Sequence, residues 1–355
     1  MRSNNALFSI GRPFSPIYSL LMRLRESLYR KRLLPVTSLE VPVVSIGNLT
    51  LGGTGKTPVV QYIAGLLQDQ GLHPAIISRG YGGKSRKKLN IVSRGEAPLL
   101  EASFIGDEPR LLAESLKGVP VLTGPVRKHP ARHAVEMGAD VLVLDDGFQH
   151  MALDRHLDLV LFNADSLAGN SRVFPGGDLR EPVKALNRSH AFILTGTCGR
   201  NRERAHQFAE LLSDRFPNRP VFLAEYKPVG IFKDEVKGQP EKIENEQLRS
   251  LSLFAFSGIA RPESFEQTLH DLDIKIVHFH PLPDHFIYNA QTVGNIELIA
   301  SQKGADALIT TEKDMVKLKG LVSETPLFSV HMKASFDEDF HDYLLLKLAE
   351  FHGTK

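Results

Sequence analysis

The run Gly52-Gly53-Thr54-Gly55-Lys56-Thr57-Pro58 holds the residue types that bind a chain of phosphates. Glycines let successive backbone N–H groups converge on an anion, a lysine answers the β- and γ-phosphates, and a hydroxyl serves Mg²⁺. Gly52, Gly53 and Gly55 supply the backbone, with Thr54 between them, Lys56 the charge and Thr57 the hydroxyl. The general pattern asks for a glycine at position 50, where Thr50 stands; the Gly52-Gly53 pair offsets that departure. A nucleoside triphosphate site is the chemistry these spacings imply. Asp145 and Asp146 end the apolar run Val141 to Leu144, a place from which a carboxylate reaches Mg²⁺ directly or through water. Adjacent aspartates alternate sides of a strand, so only one of the two is expected on the metal itself.

Two nucleotide switch classes lose support at single positions. Switch ATPases of partitioning and cell division carry a lysine just before the glycine pair, and Leu51 stands there. GTPases read guanine with an N/T-K-x-D tetrad, and Thr311-Glu312-Lys313-Asp314 has the wrong spacing.

Phosphoryl transfer to a hydroxyl needs a carboxylate or imidazole to orient it and take its proton. Gly106-Asp107-Glu108-Pro109 places two carboxylates before the helical run Arg110 to Leu116. On pattern alone Asp107 reads as a helix cap, with Pro109 in the first turn, ahead of its reading as a base. His285 follows Pro281, Pro283 and Asp284, beyond His278 and His280, on a rigid loop from which an imidazole can face a cleft. No set of three or four ligands has metal-site spacing. His129 and His133 read as a surface pair, while Arg127, Lys128 and Arg180 are candidates for meeting a phosphate.

The elements that must position these residues alternate strand-like and helical runs, the sign of an α/β fold with a parallel sheet flanked by helices, like that of the P-loop NTPases. Strands are expected at 41–46, 75–78, 141–144, 157–162, 191–195 and 221–223. The helix from Pro58 to Gln70 carries the stripe Val59, Val60, Ile63, Leu66 and Leu67. Residues 226–250 turn polar, with Pro228, Gly230, Gly238 and Pro240. They divide a core of 35–225 from a smaller α/β unit of 226–355, with strands at 253–256, 274–279, 307–310 and 327–330. Residues 1–34 form a third piece. There Phe14, Ile17, Tyr18, Leu21, Leu24 and Leu28 recur at helical spacing among Arg23, Arg25, Arg30, Lys31 and Arg32. Such a helix suits an anionic membrane surface, or docks on its own core.

With 42% hydrophobic and 24% charged residues, the 355-residue chain can build real cores. A net charge of +2 announces no nucleic-acid partner, and no protein partner is required by any motif. One cysteine, Cys198, allows no internal disulfide. Arg23 and Arg25 interrupt what would have to be a signal core, so the chain is expected to remain in the cytoplasm.

The run from Val44 to Pro58 resembles the tetraacyldisaccharide 4′-kinases of lipid A biosynthesis, and in them a threonine at the Thr50 position is usual. Ser78-Arg79-Gly80-Tyr81-Gly82, Gly106-Asp107-Glu108-Pro109, Asp145-Asp146-Gly147-Phe148-Gln149-His150 and Leu179-Arg180-Glu181-Pro182 are similar to that family too. So are Phe256-Ser257-Gly258-Ile259-Ala260, Asp284-His285 and Thr310-Thr311-Glu312-Lys313-Asp314. The resemblance implies ATP and Mg²⁺ dependence and an acylated glucosamine disaccharide 1-phosphate as acceptor. It also implies a peripheral place on the cytoplasmic face of the inner membrane, and two domains closing on a site between them. Under it Asp107 becomes the expected base with His285 across the cleft. Arg79, Tyr81, Arg127, Arg180 and Glu181 become candidates on the substrate and phosphate side. A P-loop kinase of a soluble metabolite and a nucleotide-driven switch stand as the alternatives.

Overall fold

The computed structural model describes residues 8–233, 241–318, 321 and 325–353. Strand β1 (Val43–Asn48) has every residue buried, as a central strand covered on both faces requires. The larger half adds β2 (Pro74–Ser78), β3 (Asn90–Arg94), β4 (Pro120–Thr123), β5 (Val141–Asp145), β6 (Leu157–Asn163) and β7 (Ala191–Thr195). Beyond it come β8 (Val221–Lys233), β9 (Glu241–Ile243), β10 (Leu253–Ser257), β11 (Ile276–Pro281), β12 (Ala307–Thr311) and β13 (Leu327–Phe336). Among the described residues one sheet runs β11-β10-β12-β13-β8-β7-β6-β1-β5-β2-β4-β3, with β9 beside β8.

Strand β8 joins the halves. Val221–Ala224 pairs parallel with β7, and the stretch from Ala224 to Lys233 pairs antiparallel with β13. Strands β10, β11 and β12 run parallel to β13. The smaller half therefore points back at the larger one, and the carboxyl ends of the two strand sets face each other. Ligands of open α/β sheets bind at such ends. The polar texture expected to mark a junction at 226 reflects the exposed middle of β8, Lys227 to Val229, rather than an end of the strand.

Helix α1 (Ser15–Arg30) precedes this sheet; α2 (Lys56–Asp69) and α3 (Asp107–Ser115) cover the larger half, and α4 (Glu312–Leu318) and α5 (Glu338–Gly353) follow later. Val59, Val60, Ile63, Ala64 and Leu67 bury one face of α2; each large aliphatic side chain so buried contributes about 1.5–3 kcal/mol. Phe340, Leu344 and Leu348 of α5 share that cluster, so the last helix returns to the larger half. The smaller half keeps cores of its own around Leu253, Ile309 and Phe265 and around Phe254, Phe256 and Val293.

Helix α1 has no fully buried residue. Its attachment is polar: Ser15 Oγ donates to the Val173 carbonyl at 2.8 Å and accepts from Gly176 N–H at 2.9 Å. Tyr18 Oη donates to the Arg180 carbonyl at 3.0 Å, and Glu26 pairs with Arg188 at 3.2 Å. Hydrogen bonds of this kind are worth about 1 kcal/mol each, well below the core's share. Phe14, Ile17, Leu20, Leu21 and Leu24 stay 53–66% exposed. Tyr18 and Leu28 of the expected stripe turn to the protein instead, and Leu20 takes a place on the outer face. The helix is thus docked and also presents an apolar stripe outward. No described helix is long and apolar enough to cross a membrane.

Candidate active site

The phosphate loop runs from Leu49 to Gly55 between β1 and α2 and is fixed from several sides. Asn48 Nδ2 donates to the Thr50 carbonyl at 2.8 Å, Thr195 Oγ1 to Thr54 O at 2.7 Å, and Tyr226 Oη to Gly55 O at 3.1 Å. Leu51 N–H donates to Asp178 O at 2.7 Å and Arg180 N–H to Leu49 O at 2.8 Å, so residues 178–180 strap the loop's start. Gly55 takes φ +71°, in the left-handed region, with the Tyr226 ring lying where a β-carbon would project. Only glycine suits both conditions. Gly52, Gly53 and Pro58 flank this turn. Lys56 and Thr57 open the first turn of α2, where exposed N–H groups and the helix dipole favour an anion. Lys56 Nζ donates to Asn48 Oδ1 at 3.3 Å and stands 3.5 Å from Asp146 Oδ1.

Asp145 and Asp146 differ sharply. Asp145 is buried, accepts from Ser78 Oγ at 3.0 Å, and is pushed up to about 6 by burial and by the neighbouring Asp146 charge. Asp146 has φ +52° and faces Lys56 and Arg180, whose Nη1 lies 3.0 Å from both carboxylate oxygens. Burial works against its ionisation, but Lys56, Arg180 and Arg127 outweigh it and hold the carboxyl below the usual range. Thr57, Asp145 and Asp146 make a hard-oxygen set suited to Mg²⁺, which needs one or two carboxylates and completes its shell with phosphates and water. Asp145, a buried carboxyl short of positive charge, is the environment a divalent cation relieves.

The remaining expected residues separate into two groups. Arg79 and Tyr81 are exposed on the loop after β2, Tyr81 at 70%. Arg180 pairs with Asp146. Arg127, only 5% exposed, instead donates to the Asp146 carbonyl at 3.1 Å and the Asp145 carbonyl at 3.5 Å. Glu181 is 1% exposed and is taken up by Arg188 at 2.9 Å. Arg127 therefore braces the main chain of the two aspartates, and Glu181 is paired inside the fold. His133 pairs with Glu136 at 3.1 Å on the helix after β4, away from the aspartates.

Asp107 begins α3 after Gly106, whose φ of +98° and close approach to the Tyr81 carbonyl require glycine. Gly106, not Asp107, occupies the cap position of this helix. The Asp107 side chain points across the cleft, where its Oδ2 lies 3.3 Å from His285 Nδ1. The pattern-based reading of Asp107 as a cap is thereby corrected: the carboxylate faces an imidazole on the opposite half. Burial works against the charged form of Asp107. The His285 hydrogen bond, Lys317, Lys313 and the His285 charge outweigh that and hold the carboxyl below its ordinary value. His285 is raised in turn, first by its bond to Asp107. Tyr81 meets the imidazole edge-on at 6.3 Å.

Sequence reading assigned no role to the residues that link the halves. Arg261 Nη1 donates to Asn163 and, at 3.2 Å, to Asp165, and Ala260 lies over Gly53. Lys313 pairs with Glu108 at 2.9 Å, and Lys317 stands 4.0 Å from Asp107. Tyr226 lay inside the supposed junction.

The family model described as Tetraacyldisaccharide-1-P 4'-kinase matches residues 7–349. A tetraacyldisaccharide 4'-kinase of Desulfotalea psychrophila is 46% identical over 352 residues, covering 99% of each chain. That of Syntrophus aciditrophicus is 38% identical over 349 residues, covering 94% of this chain and 91% of its own length. Among solved structures, an "apo" form of LpxK from Aquifex aeolicus in complex with ATP is similar at a TM-score of 0.75 and 30% identity. That likeness covers 95% of this chain and 98% of the other. Match lengths of this order take in the phosphate loop, both aspartates and both sides of the cleft together. The chain belongs to the tetraacyldisaccharide-1-P 4'-kinase family, a kinase family of lipid A biosynthesis.

Proposed function

We propose that this chain transfers the γ-phosphoryl group of ATP to the 4′-hydroxyl of a tetraacylated glucosamine disaccharide 1-phosphate. The observation that carries the acceptor side is the 3.3 Å approach of His285 to Asp107 across the cleft, at the carboxyl ends facing the phosphate loop. The loop amides and Lys56 bind the β- and γ-phosphates. Thr57 with Asp145 or Asp146 would hold Mg²⁺, which neutralises phosphate charge when bound. Arg180, beside Asp146, would meet a phosphate oxygen, and exposed Arg79 and Tyr81 would border the acceptor side.

Asp107 orients the sugar hydroxyl and receives its proton as the new oxygen–phosphorus bond forms. The bond from the γ-phosphorus to the bridging oxygen breaks, and ADP leaves. Because the transition state is loose, positioning counts for more than basicity. A carboxylate held ionised is therefore adequate. Residues 35–225 and 226–355 act as domains that close over the bound substrates, excluding water that would otherwise hydrolyse ATP.

The outward stripe of α1, with Arg12, Arg23 and Arg30 beside it, suits the acidic lipid surface of the cytoplasmic side of the inner membrane. There the acceptor's acyl chains stay in the bilayer while its sugar reaches the cleft. The test is direct. Purified chain is incubated with γ-labelled ATP, Mg²⁺ and the acylated disaccharide 1-phosphate in mixed micelles. Label on the 4′ position of the glycolipid is expected, and a lipid fraction free of label would sink the reading.

A further inference from the structure

Asp107 and His285 come from opposite halves, so something must fix the two relative to one another. The buried side chain of Asp314 in α4 connects to both. Its Oδ2 accepts from Gly258 N–H at 2.9 Å and from Thr311 Oγ1 at 2.8 Å. The Gly258 carbonyl in turn accepts from His285 N–H at 3.2 Å, which sets the backbone that carries the imidazole. The other oxygen, Oδ1, stands 2.8 Å from Lys317 Nζ one helical turn later. Lys317 Nζ also donates to the Phe286 carbonyl at 3.3 Å, lies over the Tyr288 ring at 5.1 Å, and approaches Asp107 Oδ2 at 4.0 Å.

We propose that Lys317, anchored by Asp314, is a positioning residue for the transfer step that holds the Asp107 carboxylate in register with His285. The inference rests on Asp107 being the base proposed above.

Burial makes an ammonium costly unless it is paired, and Lys317 is 8% exposed beside an Asp314 that is 0% exposed. An internal ion pair serving α4 alone would be satisfied without reaching across the cleft. Here the ammonium extends past its own partner to a carboxylate on the other half. The groups acting on Asp107 are His285 and Tyr288 from the 282–289 loop and Lys313 and Lys317 from α4, while Asp284 and Glu108 stand beside His285 and Lys313. Lys313 is occupied by Glu108 at 2.9 Å. Lys317, paired with Asp314 at 2.8 Å, is the lysine that also reaches within 4.0 Å of Asp107. It also lies among the groups that favour the ionised form of Asp107.

The experiment compares Lys317→Met, Lys317→Arg and Asp314→Asn in the full chain, with Asp107→Ala alongside. Turnover on the micellar acceptor, binding of a fluorescent ATP analogue and pH profiles are measured for each. Lys317→Met is expected to lower kcat at least about tenfold, with nucleotide affinity within about twofold of the parent. Its acid limb should move up by about one pH unit, since an opposite charge at this range lowers a carboxyl by one or more. Lys317→Arg restores the limb; Asp314→Asn falls between. Unchanged kcat and an unshifted limb in Lys317→Met overturn the proposal. So does a loss of ATP binding and melting temperature parallel to the loss of turnover, which marks a structural role only. If Lys317→Met cannot be recovered folded, Lys317→Gln is read by the same criteria. Near-parental turnover by Asp107→Ala sinks the base assignment, whereas its expected loss beside a fully active Lys317→Met overturns only the role of Lys317.

Discussion

The phosphate loop is held by main-chain groups accepting from Asn48, Thr195 and Tyr226 and pairing with residues 178–180, whereas Asp107 and His285 meet only through side chains that reach from two halves of the sheet. The donor side is held mostly from within the larger half, and takes Tyr226 of β8 and Ala260 from beyond it. The acceptor side exists only while the halves are together. Under the proposed closure of the two halves, such a kinase would bind ATP before it is competent to use it.

That contrast can be broken most severely at Asp107. Asp107→Ala is expected to reduce kcat by about 10³-fold, within the range for a positioned general base. ATP affinity should stay within about twofold, as calorimetric titration would show; a comparable loss of affinity would erase the distinction between the sides. The opposite signature belongs to Tyr226→Phe. It removes the hydroxyl donating to Gly55 O and leaves the ring in place. A lost hydrogen bond of about 1 kcal/mol should weaken ATP roughly fivefold and alter kcat by less than about twofold. Steady-state kinetics at saturating ATP separates the two effects.

The smallest effect is that of pH on closure. Asp107 is lowered from 3.8, so its contribution is present above that value and is lost as pH falls through the folded value. His285 is raised from 6.5, so its contribution is complete below 6.5 and is lost as pH rises through the folded value. The link should therefore hold best between about pH 4 and 6.5. Since His285 is 38% exposed, solvent screens the effect. A fall in melting midpoint of only about 1 °C is expected between pH 6 and 9. His285→Gln should flatten that part of the profile, and an unaltered profile in the variant would remove His285 from it.

The loop and its strand were readable because their chemistry is local: a glycine run, a lysine and a hydroxyl within seven residues. The strands ending in Asp145, Asn163 and Thr195 were readable for a related reason, since burial on both faces writes continuous apolar runs. Strands β3 and β4 were not seen. Both are short; β3 lies at the edge of the sheet, and β4, between β2 and β3, opens on Pro120. The length of β8 was hidden because its middle is exposed, and polar exposed strand resembles linker. Asp107 illustrates the harder case. Its nearest neighbours in sequence, a glycine and Pro109, describe a helix start, while the partner that gives it a role lies 178 residues away. Lys317 and Arg261 had no local pattern at all, because what matters is which carboxylate the folded sheet brings opposite them.

The strap over residues 173–180 has two grips. One edge holds Ser15 and Tyr18 of α1, and the other holds Leu49 and Leu51 at the entrance of the phosphate loop. Trimming the amphipathic helix to gain a better-behaved soluble enzyme would thus not be an innocent edit. It would leave the strap fastened at one edge only, and the nucleotide cradle would lose a brace whether or not a membrane is present.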